Sequence, residues 1–128
     1  MKLRALLVSA VTLGVVAIPS AAMAENWNFI SGYTHLDTTW TEYDQIRHHT
    51  SPGDFKYDPS NLPCGGMHMK LQETVNGAKG RQIGSIVAWT DHSTKTLATN
   101  VIYPITFIVY VHRECNSVDT YWDGTLLY

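Results

Sequence analysis

The stretch VIYPITFIVYVHREC, from Val101 to Cys115, decides the fold class of this chain. It is dense in β-branched and aromatic residues, which are the residue types enriched in β-strands. Apolar side chains recur at every second position through Phe107 and Val109, so we expect this face of the strand to be deeply buried. Pro104 cannot donate a ladder hydrogen bond, which places that end of the stretch at a sheet edge or a bulge.

The segments around this stretch also have the pattern of strands. In MHMKLQ, residues 67–72, apolar and polar side chains alternate, and Asn76-Gly77 follows as a hairpin turn. RQIGSIVAWT, residues 81–90, is apolar on both faces and predicts a central strand, whereas DHSTKTLATN, residues 91–100, predicts a loop. TYWDGTLLY ends the chain with a further strand. The pattern predicts an all-β fold, either a small sandwich of immunoglobulin-like or similar type or a small barrel.

Residues 1–24 have the pattern of a secretory signal peptide. Lys2 and Arg4 form a positively charged start, an apolar run follows, and Ala22-Met23-Ala24 offers small residues at the positions that a signal peptidase reads. The apolar run is shorter than a membrane-spanning helix, and a retained N-terminal anchor is the alternative. We therefore expect the mature chain, residues 25–128, to be secreted and extracellular, without membrane attachment.

Cys64 and Cys115 are the only cysteines in the chain. In an exported protein two thiols most simply form one disulfide bond. Such a bond would close a loop of roughly 50 residues and stabilise the fold by about 4 kcal/mol. The alternatives are two free thiols or half of a metal site, although no C-x-x-C spacing indicates a metal.

The composition limits the kinds of partner that this chain can bind. It has 9 Lys and Arg against 11 Asp and Glu, and loss of Lys2 and Arg4 would make its net charge of −2 more negative. An acidic, sparsely charged chain lacks the cations that contact phosphate, so we expect no nucleic-acid binding. The four Trp, seven Tyr and three Phe all follow residue 24. Some of these aromatic side chains are expected to serve a surface as well as the core.

Residues 25–63 differ in character from residues 64–128, which we predict to be the β-sandwich core. The leading segment has no apolar run longer than two residues, and it ends in SPGDFKYDPSNLP, a stretch typical of turns and linkers. Thr39 to Glu42 match a capping box, and Trp40, Tyr43 and Ile46 have helical spacing. These features predict an irregular extension with at most one or two helical turns.

Two interpretations of this extension remain open. In the first, it adds one or two strands to the sandwich and wraps it. In the second, residues 25 to about 40 form a mobile arm whose aromatic side chains dock on another protein. The two interpretations are compatible if only the first part of the segment is mobile and the rest forms strands. The predicted partner-binding residues are Trp27, Phe29, Tyr33 and Trp40.

No catalytic signature stands out in the sequence. G-x-S-x-G is missing, and the consecutive residues Asp91-His92-Ser93 cannot form a triad relay. The carboxylates that could cleave glycosides fall in the leading segment, where nothing fixes their separation. The six histidines lack the spacing of a zinc site, although His68 and His112 could meet across a sheet on polar strand faces. We therefore predict no enzyme activity, no metal and no cofactor.

Two strings carry a resemblance to a known family. They are the late first cysteine followed by MHMKLQ, and FIVYVHREC leading into YWDGTLLY. Together they resemble small secreted actinobacterial β-proteins that serve as adaptor subunits in umbrella toxin particles. The resemblance covers residues 64–128 and implies a disulfide-bonded β-sandwich whose N-terminal extension inserts into a lectin-like partner. No functional residue of that family is carried over to this chain.

Taken together, these patterns predict a secreted, non-enzymatic binding protein. Its role would be that of an adaptor or accessory subunit in a hetero-oligomeric toxin assembly outside the cell, with a secreted protein as its partner. A small secreted antibacterial effector, or an inhibitor of a secreted enzyme, is the alternative. A hydrolase whose carboxylates or histidines converge only in three dimensions is a third.

Overall fold

The computed structural model describes residues 26–35, 39–115 and 118–128. The predicted signal peptide and its cleavage site lie outside these ranges. A 3₁₀ turn at Pro63–Gly65 separates the third and fourth strands. No helix in the described ranges is long and apolar enough to cross a membrane. The strands are β1 (Trp27–Tyr33), β2 (Thr41–His49), β3 (Gly53–Asn61), β4 (Met67–Val75), β5 (Ala78–Trp89), β6 (Lys95–Val101), β7 (Ile105–Arg113) and β8 (Tyr121–Leu127).

The strands form two antiparallel, four-stranded sheets that pack face to face. Sheet A has the order β1-β8-β3-β6, and sheet B has the order β2-β7-β4-β5. The first strand therefore pairs with the last, the second with the seventh, the third with the sixth and the fourth with the fifth. This concentric pairing is that of a jelly roll, an eight-stranded sandwich of two Greek keys. The predicted all-β sandwich is confirmed, with a jelly-roll order in place of the immunoglobulin one.

The core lies between the inward faces of the two sheets. Phe107 and Val109 of β7 are fully buried, as their alternation predicted. The ring of Phe107 meets Phe55 of β3 edge-on at 5.0 Å between centroids, and Tyr57 meets Trp89 of β5 in the same manner at 5.3 Å. Aromatic side chains thus join the two sheets across the core. The inward face of β4 is also as predicted and consists of Met67, Met69 and Leu71.

Two predicted features of the connections are confirmed. Cys64 and Cys115 form a disulfide bond, with their Cα atoms 5.9 Å apart. This bond ties the connection between β3 and β4 to the connection that follows β7. Asn76 and Gly77 both have positive φ values, 52° and 79°, and they form the tight turn between β4 and β5.

The leading segment is part of the sandwich, so the predicted boundary at residue 64 is corrected. Residues 25–63 do not form a separate extension and linker: as in the first of the two interpretations, they add strands to the sandwich, supplying β1 and β3 to sheet A and β2 to sheet B. β1 is not a free arm, because it pairs with β8 from Trp27 to Tyr33 and buries Ile30. The expected linker forms β3, whose Phe55 is fully buried. All eight strands therefore enclose one core.

Three local predictions are also wrong. β5 is an edge strand rather than a central one, which leaves Ile86 exposed. The expected loop at residues 91–100 contains most of β6. The expected helical turns around Trp40 fall at the start of β2, where the register with β7 shifts between Tyr43 and Arg47. Such an irregularity breaks the alternation of side chains and produces spacings that resemble those of a helix.

Candidate binding surface

β1 is an outermost strand of sheet A, and β8 is the only described strand that pairs with it. Its side chains alternate, so Ile30 points into the core while Trp27, Phe29 and Tyr33 share the outer face with Ser31. The exposed fractions of the three aromatic residues are 37%, 64% and 69%. Exposed aromatic side chains therefore lie beside an edge of β1 that no other described strand covers.

β1 lacks the features that protect the other three edge strands. β2 carries Glu42 and Arg47 and a shift in register. β5 carries Lys79 and Arg81, and its register with β4 also shifts. β6 begins at Lys95 and pairs irregularly with β3. β1 has no charged residue and no proline, and its register with β8 is unbroken. Charge, proline and bulges are the usual defences of a sheet edge, and β1 is the edge strand among the described residues that lacks all three.

A polar network holds the outer face of sheet A next to β1. The rings of Tyr33 and Tyr121 lie 5.3 Å apart. The Tyr121 hydroxyl donates to Asp123 Oδ2 at 2.9 Å, and Asn61 Nδ2 donates to both oxygens of Asp123 at 2.8 and 2.9 Å. The hydrogen bond to Asp123 raises the pKa of Tyr121. Tyr121 is therefore fixed in place and gives the exposed Tyr33 ring a rigid neighbour.

A groove of about 370 Å³ runs between the edges of β1 and β2. Phe29 lines it from sheet A, and Ile46, 48% exposed, lines it from sheet B. The buried Arg47 also lines the groove; its guanidinium donates to the carbonyl and side-chain oxygens of Gln45 at 3.0 and 2.9 Å. The same group lies 4.7 Å from the centroid of the Tyr43 ring. The groove thus has a fixed wall, and it can accept side chains from a strand docked on β1.

Trp40 lies apart from the other three predicted binding residues. It precedes β2 and sits on the outer face of sheet B, where its ring meets His112 edge-on at 4.3 Å. Lys70 Nζ lies 4.4 Å from the centroid of the same ring. The structure therefore brings together Trp27, Phe29 and Tyr33 on β1 but not Trp40.

His68 and His112 meet across sheet B, as the sequence suggested. They are register partners on β4 and β7, and their rings stack with centroids 4.5 Å apart. His68 Nδ1 lies 3.2 Å from Glu114 Oε1, which is an ion pair when the imidazole is protonated. Within the described ranges, no group of three or more His, Cys, Asp and Glu residues is arranged to hold a metal ion.

The charged side chains near this histidine pair largely satisfy one another. The Tyr110 hydroxyl donates to Glu42 Oε2 at 2.8 Å, and Lys79 Nζ lies 3.6 Å from the same oxygen. The interaction with Tyr110 raises the pKa of Lys79, and burial raises the pKa of Tyr110 itself. The outer face of sheet B is thus a charged surface with internal partners, which distinguishes it from the uncharged strand β1.

Asp91, His92 and Ser93 form a local turn. The Ser93 backbone N–H donates to Asp91 Oδ1 at 3.0 Å, and the Ser93 hydroxyl also contacts that oxygen. These hydrogen bonds lower the pKa of Asp91. The His92 ring instead lies 3.2 Å from the Pro59 carbonyl oxygen. The Ser93 hydroxyl is thus bonded to Asp91 and the His92 ring to Pro59, which is not the serine–histidine–aspartate order of a nucleophile relay.

Comparison with known protein families, curated proteins and solved structures finds no match to this chain. The class of protein is therefore described from its own fold and surface. It is a disulfide-linked jelly-roll sandwich with one edge strand that is uncharged, regular and lined by exposed aromatic side chains.

Proposed function

We propose that this protein is a secreted, non-enzymatic binding protein that engages a protein partner through β1. The observation that carries the proposal is the exposure of Trp27, Phe29 and Tyr33 on an unprotected edge strand. An extended segment of the partner would add to this edge through main-chain hydrogen bonds, and the aromatic side chains would supply specificity. Trp and Tyr suit this role because they bring a large contact area at a low cost in conformational entropy.

The binding mode differs from the mobile arm that the sequence suggested. Ordering a free segment costs on the order of 1 to 2 kcal/mol per residue. β1 is already held by β8 along its length, so its binding surface is formed before the partner arrives. The partner supplies the extended segment, and β1 acts as the template.

The biological setting follows from the signal-peptide pattern, the disulfide bond and the resemblance to adaptor subunits of umbrella toxin particles. We propose that the protein works outside the cell as an accessory subunit of a hetero-oligomeric assembly. The partner is expected to be another secreted protein. A secreted enzyme that loses activity when captured would instead favour the role of an inhibitor.

A pull-down with matched variants tests this function. Phe29→Lys places a charge at the centre of the β1 surface, and Val118→Lys places the same charge at a 92% exposed position between β7 and β8. The mature wild-type protein and Val118→Lys should capture the same protein from culture supernatant, and Phe29→Lys should not. All three should have the same melting temperature.

Hydrogen exchange of the captured complex then maps the interface. The partner should increase protection of the amide hydrogens of β1, residues 27–33. Equal capture by Phe29→Lys and wild type, or protection confined to another strand, would contradict the proposed surface.

A further inference from the structure

We propose that, in the absence of the partner, β1 pairs antiparallel with β1 of a second copy of this chain. The pairing would join the two copies of sheet A into one eight-stranded sheet. This inference rests on the proposed function, because it assigns an occupant to the same edge. It also adds regulation, since the second copy covers the edge until the partner replaces it.

The sequence of β1, WNFISGY, is self-complementary in size about its central residue, Ile30. Two identical antiparallel strands are related by a two-fold axis, which here passes between the two copies of Ile30. Trp27 then faces the second copy's Tyr33, and Phe29 faces the second copy's small Ser31. Each large ring on the outer face therefore lies opposite either another aromatic ring or a small side chain. Cross-strand aromatic pairs stabilise antiparallel sheets.

Charge does not oppose this pairing. β1 contains no acidic or basic residue, so no like charges face each other across the two-fold axis. A regular, uncharged edge left open in solution tends to pair with whatever strand it meets. Pairing with a second copy gives hydrogen-bond partners to the main-chain groups of that edge. The joined sheet then has β6 as its outermost strand on both sides. Because β6 begins at Lys95 and pairs irregularly with β3, it stops further growth.

The available area fits a reversible dimer. The interface would consist of the β1 edge and the flanks of the three partly exposed rings, because rings on the outer face of the joined sheet keep one side in solvent. The exposed Ile46 on the neighbouring edge adds to this surface. Interfaces below about 1,200 Å² are typical of weak or transient association, so we expect dimerisation at about micromolar concentration or above. A dimer of this strength leaves β1 accessible to a tighter-binding partner.

Sedimentation velocity of the oxidised mature protein tests the pairing. Wild type should convert from monomer to dimer as its concentration rises through the micromolar range, and Val118→Lys should behave in the same way. Phe29→Lys should remain a monomer at every concentration. A wild-type protein that stays monomeric at the highest concentration, or a Phe29→Lys variant that dimerises equally well, would overturn the inference.

Cysteine cross-linking tests the register. The axis at Ile30 places the Cα atom of residue 29 directly opposite the second copy's residue 31, at about 4.5 to 5.5 Å, within the range of a disulfide bond. Residue 29 is diagonal to its own counterpart, at about 7 to 8 Å. An equal mixture of Phe29→Cys and Ser31→Cys proteins should therefore form a covalent heterodimer under mild oxidation. Equally fast linkage of Phe29→Cys alone, or no linkage in the mixture, would rule out this register.

The two proposals fail in different ways. If wild type is a monomer and Phe29→Lys loses partner capture, the second copy is excluded and the proposed function stands. If Phe29→Lys retains partner capture, the proposed function fails regardless of the sedimentation result.

Discussion

At the residue scale, Phe107 is a sensitive position because its buried ring contacts both sheets. Its centroid lies 5.0 Å from that of Phe55 and 5.1 Å from that of Tyr128. Phe107→Ala removes these contacts and leaves a cavity, so it should lower the free energy of unfolding by about 3 to 5 kcal/mol in urea denaturation. Ile102→Ala, at an exposed apolar position, should change that value by less than about 0.5 kcal/mol. Similar losses for the two variants would contradict the assigned strand face.

Tyr57 places a hydroxyl group inside the core. This hydroxyl has no hydrogen-bond partner among the described residues. Burial raises the pKa of Tyr57, and the nearby carboxylates of Asp123 and Asp58 add to the effect. The folded protein therefore keeps this proton at pH values where an unfolded tyrosine, with a pKa of about 10, releases it. Stability is unaffected by Tyr57 ionisation below about pH 10 and falls as the pH rises further.

Tyr57→Phe tests both consequences of this burial. The variant keeps the ring but removes a buried hydroxyl without a partner, so at neutral pH it should be more stable by about 1 kcal/mol. It should also lose less stability than wild type between about pH 9 and pH 11, because no proton remains to be released at this position on unfolding. Urea denaturation at each pH measures both effects. A variant that loses as much stability as wild type in alkali would show that other groups cause the loss.

At the scale of single elements, Gly84 allows β5 and β6 to approach at one edge of the sandwich. Its φ is +65°, and an added Cβ would overlap the Leu97 carbonyl oxygen and lie 2.6 Å from Ala98 Cβ. Gly84→Ala should therefore lower stability by more than about 2 kcal/mol through backbone strain and overpacking. Gly53→Ala is the matched control, since among the described residues no atom beyond its chain neighbours lies within 4 Å of its Cβ position. Equal thermal unfolding of the two variants would contradict the close approach.

Deletion of β1 tests whether this strand belongs to the folding unit. Residues 26–33 cover one edge of β8 and bury Ile30, whose side chain alone contributes about 1.5 to 3 kcal/mol. Together with the lost strand pairing, the deletion should lower stability by at least about 3 kcal/mol or prevent folding. Phe29→Lys alters only the outer face and should leave the melting temperature almost unchanged. An unchanged melting temperature after deletion would restore the model of a free arm.

Strands with regular alternation could be predicted from the sequence, and irregular ones could not. β4 alternates between apolar and polar residues from Met67 to Gln72, and β7 is dense in β-branched and aromatic residues and pairs with β4 in an unbroken register; these patterns also predict that His68 and His112 can meet. β3 alternates through Phe55, Tyr57 and Pro59, but its flanking glycine and prolines suggested a linker. β6 buries the consecutive residues Leu97 and Ala98 at a shift in its register, which hides the period of two.

The candidate surface could be predicted only in part for a related reason. The scattered aromatic residues of the leading segment predict a surface because they form no core stripe in the sequence, and three of them, all on β1, are exposed. Whether Trp40 joins them depends on which sheet β2 enters. The sheet to which β2 belongs is set by pairing between strands that are distant in sequence, and no local pattern predicts it.

At the scale of the whole molecule, the jelly-roll order explains why the leading segment looked separate. Its first strand pairs with the last strand of the chain, so the contacts that order it involve residues far away in sequence. Such non-local pairing is also expected to make folding slow relative to that of helical proteins of similar size. The disulfide bond is expected to reduce this delay, because it holds two residues that are distant in sequence together before the strands pair.

The final prediction concerns that bond. Cys64 and Cys115 are 51 positions apart, and the loop between them contains β4, β5, β6 and β7. Closing this loop in the unfolded chain removes conformational entropy worth about 4 kcal/mol on the chain-entropy model. The double variant Cys64→Ser/Cys115→Ser should therefore unfold with a free energy lower by about 2 to 5 kcal/mol, and reduced wild type should match it. If oxidised and reduced wild type share one urea midpoint and slope, the bond does not stabilise the sandwich.

The same bond should also make the oxidised protein refold faster than the reduced protein. It holds β4 and β7 close together from the start, so only β1, β2, β3 and β8 must find partners across longer loops.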